Sequence, residues 1–414
     1  MRPGPWQLAV AATVCVAAQL HAPVPAVAGI HSDAAVITQW NAIAVRTIFT
    51  ENSNPIPSSG LYFGFASIAV YDAVVAIKGG YQPFLRQPRA DRRASVEAAT
   101  ATAAHDVLAH YYPASAANLA TDLAATLAGI PQAPRVAGQR VGANSAARLI
   151  QAREGDGRNA AITLNVPPAP GVWRPTPPAL APMAVPWLGF VRPLTLRSPT
   201  QPRLSGPDPI TSRAYRRDLA EVRAYGSATG SRRTPWQTET ALFWNDNVNL
   251  QYQAALRDQV TRRGYDVVRA ARAFALLNTT IGDALIRCWR SKYDEAYWRP
   301  ITAIREDPVD PDPAWTPLLP TPPYPDYTSG HACLTGAAAG TFAHLFGAGS
   351  IDLDVSSSVT STTRHFDTAE ALRIEAFNAR IWLGFHFRKA MTDGIYIGLY
   401  TSAWVRSRHF TPAG

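Results

Sequence analysis

Three short clusters in the C-terminal part of the chain carry side chains that suit an anion. Together they supply three cations, a hydroxyl, a glycine amide and two imidazoles: Lys292, Arg299, Arg380, Ser329, Gly330, His331 and His386. A tetrahedral oxyanion such as phosphate or vanadate needs several donors around its oxygens, an axial nitrogen and a proton carrier on the opposite side. The residue types therefore predict one oxyanion site.

The spacing within two of these clusters predicts local structure. Lys292 and Arg299 are seven residues apart, about two helical turns, so a continuous helix would turn both side chains to one face. Arg380 and His386 are six apart, and on an unbroken helix they would diverge by roughly 240°. If both face one ligand, the helix must end or distort between them, and Gly384 is the predicted place.

The Ser329-Gly330-His331 tripeptide separates a Pro-rich loop from an Ala-rich helical run, 331–346. This position predicts a helix N-terminus with Ser329 as its N-cap. Free backbone N–H groups and the positive end of the helix dipole would then face the ligand.

The order and spacing of these clusters resemble a known superfamily. Vanadium-dependent haloperoxidases and type-2 phosphatidic acid phosphatases share a pattern of three pieces. The first is a lysine followed, after six residues, by Arg-Pro; the second is Ser-Gly-His; and the third is an arginine followed, after five residues, by a histidine. All three pieces are present in that order, from Lys292-(x6)-Arg299-Pro300 to Arg380-(x5)-His386. The resemblance covers roughly Ala255 to Arg406 and implies a helical-bundle core with the ligand between bundle helices.

The resemblance also implies a role for each residue. Cations, a hydroxyl and an amide would bind the equatorial oxygens of the anion: Lys292, Arg299, Arg380, Ser329 and the Gly330 N–H. His386 would be the axial ligand to vanadium or, in a phosphatase, the nucleophile toward phosphorus. His331 would be the acid/base on the other side, and Lys292 would also polarise the bound oxidant.

Two positions depart from the superfamily pattern. Thr328 stands where proline usually precedes Ser-Gly-His. Ala390 stands four residues after His386, where many members carry an aspartate that orients the histidine. Asp393, about one turn further on, is the next carboxylate along the chain and a candidate for that task.

Two aromatic residues are candidates for a pocket wall. Trp289 lies three residues before Lys292 on the same predicted helical face, and Tyr324 lies five residues before Ser329. Trp289 is equally consistent with a core aromatic, and Tyr324 with a loop tyrosine bonded to backbone. Cys288 and Cys333 each lie close to a motif residue, and either a disulfide or two buried free thiols fits, with free thiols favoured.

Charge and composition restrict the partners. The chain has 414 residues and a net charge of +9 that comes almost entirely from arginine. No basic stripe interleaved with aromatics and no helix-turn-helix signature accompanies this charge, so nucleic acid is not an expected partner. Attraction of small anions is the favoured use of the charge.

The N-terminus has the features of a secretory signal peptide, predicted over residues 1–28. Arg2 gives a short charged region, an apolar stretch over 8–20 is too short to span a membrane, and Ala26-Val27-Ala28 suits cleavage. Cys15 would be removed with it. We therefore predict a secreted or periplasmic protein without a membrane span.

The periodicity of the remaining chain predicts an all-α fold. Helical patterns occupy much of an N-terminal region, 29–166, and of a C-terminal catalytic region, 211–414. Between them, residues 167–210 form a Pro-rich segment that can be neither helix nor central strand, and its Trp173, Trp187, Leu188 and Phe190 predict packing on the body.

Two enzymes fit these residues. The first is a vanadate-dependent haloperoxidase that uses hydrogen peroxide to oxidise a halide to hypohalous acid, which then reacts with an organic acceptor; its vanadate would act as a Lewis acid without changing oxidation state. The alternative is an exported acid phosphatase with a phosphohistidine intermediate, which binds phosphate as substrate and needs no cofactor. The exported chain, its N-terminal helical region and Trp289 favour the first. A non-catalytic oxyanion-binding protein is a third reading.

Overall fold

The computed structural model describes residues 34–413, and α-helices account for most of them. The first five are α1 (Ala35–Val45, continued by a π-helical turn, Arg46–Glu51), α2 (Ile56–Lys78), α3 (Val96–Tyr111), α4 (Ala116–Leu127) and α5 (Gln132–Ala152). The next eight are α6 (Arg213–Gly226), α7 (Pro235–Phe243), α8 (Val248–Arg262), α9 (Val267–Glu295), α10 (Pro300–Arg305), α11 (Gly330–Phe346), α12 (Ala369–Trp382) and α13 (Arg388–Arg408). The all-α prediction is confirmed. The predicted signal peptide lies outside the described residues.

The longest helix, α9, runs through the middle of the core and ends at the candidate site. It packs against α2 on one side and against α11 and α13 on the other. Helix α2 is long and apolar enough to cross a membrane by length and composition, yet it is almost entirely buried inside the protein. Its packing against α9 helps to fix the position of the last turn of α9.

Helices α11 and α13 pack so closely that their backbones touch. A methyl group at Gly398 would lie 2.3 Å from the Cys333 carbonyl oxygen and 2.3 Å from the Ala337 nitrogen, so only glycine fits there. At the other end of this contact, the Ser329 amide donates to the Ala390 carbonyl at 3.0 Å. The start of α11 and the start of α13 are therefore held side by side.

The Pro-rich segment lies on the body of the protein, as its aromatic residues predict. Leu188 and Trp173 are buried. The Asp283 carboxylate, fully buried on α9, accepts hydrogen bonds from the consecutive backbone amides of residues 194–196 at 2.6, 2.8 and 3.0 Å. A carboxylate that accepts several amides anchors an irregular segment which has no ladder partners of its own.

The structure corrects two local predictions. Lys292 and Arg299 do not share one helix, because α9 ends at Glu295, Ala296 adopts a left-handed conformation (φ 40°), and Arg299 is the N-cap of α10. A residue before proline avoids the helical region, which explains why Arg299 begins a new helix at Pro300. The chain also forms an antiparallel hairpin that the sequence did not predict, β1 (Leu353–Ser357) with β2 (Thr362–Phe366), in which Val355 pairs with Arg364.

The predicted break at Gly384 is confirmed. Helix α12 ends at Trp382, and Gly384 has φ +80°, a conformation that side chains rarely adopt. A Cβ there would lie 2.6 Å from the Gly226 carbonyl oxygen and 2.9 Å from Pro317 Cβ. This turn reverses the chain after α12, and the Phe385 amide donates back to the Arg380 carbonyl at 3.2 Å, so His386 returns toward Arg380.

Substitution of this glycine tests the turn. Gly384→Ala should lower the free energy of unfolding by roughly 1–3 kcal/mol, because the methyl group meets backbone atoms and the positive φ is strained. Gly349→Ala is the matched control, since nothing lies within 4 Å of a Cβ at that position. Guanidinium denaturation measures both, and equal unfolding midpoints would contradict the constraint.

Candidate oxyanion-binding site

Three buried cations lie together where several helices end. Lys292 is in the last turn of α9, Arg299 is the N-cap of α10 and Arg380 is in the last turn of α12. Their side chains are 0%, 0% and 2% exposed. We call these three residues the cation cluster. Charged side chains are almost never buried this completely without a partner, so the cluster needs compensation.

Main-chain carbonyl groups provide part of that compensation. Lys292 Nζ donates to the Pro325 carbonyl at 2.6 Å and to the Asp326 carbonyl at 3.1 Å. Arg299 Nε donates to the Tyr324 carbonyl at 2.7 Å. The loop 307–325 is rich in proline, which lacks an N–H and cannot extend a sheet, so its carbonyl groups are free to face the cations. The two side chains that were predicted to share a helix face meet on this loop instead.

Arg299 and Arg380 also bind backbone on the other side of the cavity. Arg299 Nη1 donates to the Phe385 carbonyl at 2.7 Å, in the turn that follows α12. Arg380 Nη1 donates to the Trp244 carbonyl at 3.1 Å, and its buried Nε has no partner among the described residues. These contacts fix both guanidinium groups while leaving donor capacity unused.

The two predicted wall aromatics lie against the cation cluster. The rings of Trp289 and Tyr324 have centroids 5.1 Å apart. Lys292 Nζ is 4.9 Å from the Tyr324 centroid and 5.6 Å from that of Trp289, and Arg299 Cζ is 5.0 Å from Tyr324. Such distances allow cation–π attraction, which stabilises charges that water cannot reach. The Trp289 indole N–H donates to the Ala184 carbonyl at 3.1 Å, which fixes the ring.

The Ser-Gly-His tripeptide opens α11, as predicted. Ser329 is the N-cap, and its side-chain oxygen accepts from the Ala332 amide at 3.4 Å. A Cβ at Gly330 would lie 3.1 Å from a ring carbon of Trp289, so glycine lets the helix start press against the aromatic wall. The start of α11, with its free amides and the positive end of its dipole, therefore lies beside the aromatic wall of the cation cluster.

His331 is held as a neutral base at the edge of this cavity. The residue is partly exposed, but its Nε2 is buried and has no partner among the described residues. Burial lowers its pKa well below the ordinary value, and Arg380 and Arg299 lower it further, while the backbone carbonyl groups of Asp246 and Trp244 act in the opposite direction. A neutral ring with an unpaired nitrogen can accept a proton from a ligand.

His386 is almost fully buried within the cation cluster. Its Nε2 lies 3.2 Å from Arg299 Nη1, and its Nδ1 lies 2.8 Å from the Asp326 carboxylate. Burial lowers the pKa of His386 far below the ordinary value, and the nearby charges of Arg299, Lys292, Arg380 and His331 lower it further. The Arg299–His386 contact brings the first and third sequence clusters together at this ring.

Sequence reasoning missed Asp326 and proposed the wrong carboxylate. Asp393 does not reach His386; it accepts from the Tyr327 hydroxyl at 2.5 Å and from Lys389 Nζ at 2.8 Å. The carboxylate that contacts His386 is that of Asp326, which belongs to the loop that also binds Lys292. Its position five residues before His331, inside a Pro-rich stretch, was the available signal.

The two cysteines beside the site are free thiols, the favoured of the two alternatives. Cys288 and Cys333 are both buried. The Thr328 hydroxyl lies 3.4 Å from the Cys288 sulfur and 3.5 Å from that of Cys333. The threonine that replaces the usual proline therefore packs between two thiols beneath the start of α11.

The electrostatics of the cluster favour an anion. Burial, together with the charge of Arg299, lowers the pKa of Lys292 to about 8 against the opposing effects of Cys288 and Asp326. Burial also lowers the pKa of Arg299 and of Arg380, although a guanidinium stays charged at neutral pH. An anion among these groups would stabilise their charged forms, and the buried Arg380 Nε, which has no partner among the described residues, is a donor that such an anion could use.

The pH dependence of anion binding tests the Lys292 assignment. Sulfate is a suitable probe because it remains a dianion between about pH 7 and 10. Its affinity should be level below the Lys292 pKa of about 8 and fall as the pH rises through it, because deprotonation removes one charge. The fall should approach about tenfold per pH unit. Calorimetric titration measures it.

The Lys292→Arg variant is the control for this titration. Its guanidinium keeps its charge throughout the range, so its affinity profile should be flat. A wild-type affinity that is the same at both ends of the range would contradict the assignment.

Comparison with known proteins agrees with this geometry. Residues 272–410 match the family model of the second helical-bundle domain of vanadium chloroperoxidase. Vanadium chloroperoxidase from Curvularia inaequalis is 28% identical to the chain over a match that covers 38% of this chain and 37% of that protein. The match thus spans little more than a third of this curated relative.

Solved structures share the fold over nearly the whole chain. A bacterial vanadium-dependent iodoperoxidase superimposes with a TM-score of 0.79 at 22% identity, covering 92% of this chain and 96% of that one. A bacterial vanadium-dependent chloroperoxidase in its holo form superimposes with a TM-score of 0.69 at 16% identity, covering 85% and 91%. With the ordered motifs and the matched bundle domain, these findings support the vanadium haloperoxidase superfamily as the family that this chain resembles.

Proposed function

We propose that the protein is a vanadate-dependent haloperoxidase that oxidises a halide with hydrogen peroxide to hypohalous acid, which reacts with an organic acceptor. The observation that carries this proposal is the buried cation cluster around the His386 ring. Named relatives act as chloroperoxidase and iodoperoxidase, and this supports the reaction class. We also propose, from the predicted signal peptide, that the mature protein is secreted or periplasmic.

The residues present fit vanadate. Its oxygens would be held by donors that the structure leaves unused or turns to the cavity: Lys292, Arg299, Arg380, the Ser329 hydroxyl and the Gly330 amide. Arg380 Nε and His331 Nε2 are buried polar atoms without partners among the described residues, which is expected of a site built around an oxyanion. His386 Nε2 would be the nitrogen that holds the group. Bound vanadate supplies a Lewis acid that activates peroxide without a change of oxidation state.

The protein's own groups would bind, orient and move protons. Lys292 has three N–H bonds and uses two on carbonyl oxygens, so one remains to donate to the anion or to the oxidant. His331 is neutral because its pKa is lowered, and its unpaired Nε2 would accept the proton that peroxide loses. Trp289 and Tyr324 keep water from the inner side of the cluster, which strengthens each charge–dipole interaction there.

An acid phosphatase is the second candidate, because the His386 ring also suits it. A neutral imidazole with Nε2 inside a cationic pocket can attack phosphorus, and His331 would then protonate the leaving group. The aromatic wall beside Lys292 and the haloperoxidase names of the relatives favour the first candidate. In the phosphatase, phosphate is substrate and no cofactor is needed.

One pair of assays on the same preparation separates these functions. Halide oxidation should require orthovanadate together with peroxide and should be suppressed by phosphate, which competes for the same donors. His386→Ala should reduce it to background, while His344→Ala, outside the cluster, should leave it unchanged. Phosphate-ester hydrolysis is measured in parallel, with vanadate as inhibitor.

The outcomes assign the chemistry. Ester hydrolysis that vanadate inhibits, without halide oxidation, would replace our proposal with the phosphatase. Full activity in the His386→Ala variant would refute the site for either enzyme. Oxyanion binding without either reaction would leave a binding protein.

A further inference from the structure

We infer that Asp326 is the positioning residue of His386: its carboxylate fixes the ring with the proton on Nδ1 and presents the Nε2 lone pair to the cation cluster. This inference deepens the proposed function, because Nε2 is the atom that would bond the oxyanion. It assigns the orienting task to a loop residue before α11, whereas the superfamily pattern points to a carboxylate after His386.

The two neighbours of the ring determine its tautomer. Asp326 Oδ1 lies 2.8 Å from His386 Nδ1, and an ionised carboxylate can only accept a hydrogen bond, so Nδ1 carries the proton when Asp326 is ionised. Arg299 Nη1 lies 3.2 Å from Nε2 and 3.5 Å from Nδ1, and a guanidinium can only donate. The nitrogen nearer the guanidinium is therefore the one with the lone pair, and it is Nε2.

Asp326 is itself held rigidly. Its backbone amide donates to the Tyr297 carbonyl at 2.9 Å, and its carbonyl accepts from Lys292 Nζ at 3.1 Å. On the following residue, the Tyr327 hydroxyl donates to Asp393 at 2.5 Å. Because the backbone of Asp326 is fixed on both sides, its carboxylate can hold the His386 ring in one orientation.

Other groups around the ring do not perform this task. Arg299, Lys292, Arg380 and His331 act on His386 as positive or neutral neighbours, and none offers an anionic acceptor. On α13, Ala390 has no polar side chain and Asp393 is engaged elsewhere. Within residues 34–413, the salt bridge of His386 is made with Asp326, whose side chain is 1% exposed.

The arrangement has a function once Nε2 forms a bond. The imidazole then gains positive character, and the buried carboxylate beside Nδ1 stabilises it. Loss of such a partner typically costs about 10–100-fold in the affinity of the bound centre. Asp326→Ala should therefore weaken orthovanadate binding by about this factor, measured by calorimetry on the full chain.

Nitrogen-15 NMR of histidine-labelled protein without vanadate reads the tautomer directly. The His386 signals are assigned by their absence in the His386→Ala variant. Wild type should show the proton on Nδ1. Asp326→Ala should lose this state in favour of a mixture or of the other tautomer. The control is Asp393→Ala. It removes a buried carboxylate that binds Tyr327, the residue next to Asp326, but does not contact His386, so it should keep the wild-type signal.

A second variant guards against misfolding. Asp326→Asn preserves shape and a neutral acceptor, so the Nδ1 proton should persist while vanadate affinity falls. A wild-type His386 protonated on Nε2, or an unchanged tautomer in a folded Asp326→Ala variant, would overturn the inference. The expected NMR result without any halide oxidation would instead leave the inference standing and reject the proposed function.

Discussion

The burial of three cations around one imidazole is the constraint on which the rest of the site depends. Removing an ion from water costs several kcal/mol even after relaxation, and the cation cluster contains three; Asp326 is the carboxylate that contacts His386 in the described part of the chain. Carbonyl oxygens and aromatic faces offset part of this cost. The part of the desolvation cost that is not offset lowers the pKa values of Lys292, His331 and His386. A bound oxyanion would reduce this cost, because its negative charge stabilises the cations.

The fold serves this constraint by bringing helix ends together. Lys292 and Arg380 lie in last turns, Arg299 and Ser329 are N-caps, and His386 lies two residues before the start of α13. Helix ends carry the unsatisfied amides and carbonyl groups that an ionic site can use. Helix α9 packs along α2, and α11 packs along α13, and these contacts hold the helix ends at fixed positions. The groups at these ends therefore need little rearrangement to bind a ligand.

The sequence predicts what depends on neighbours along the chain. Gly384 ends α12 and Ser329 caps α11 because glycine conformation and side-chain capping are local properties. The sequence does not predict the end of α9 at Glu295, since the alanine that follows is a strong helix former and only the later Arg299-Pro300 step signals the break. The Asp326–His386 contact joins residues 60 positions apart, so it depends on the packing of α11 against α13, which periodicity does not encode.

A crystal structure of the protein soaked with orthovanadate tests the central claim most directly. Our account predicts vanadium bonded to His386 Nε2, with its oxygens within hydrogen-bond distance of Lys292, Arg299 and Arg380. An oxyanion bound away from the cation cluster, or one that approaches Nδ1 and displaces Asp326, would contradict it.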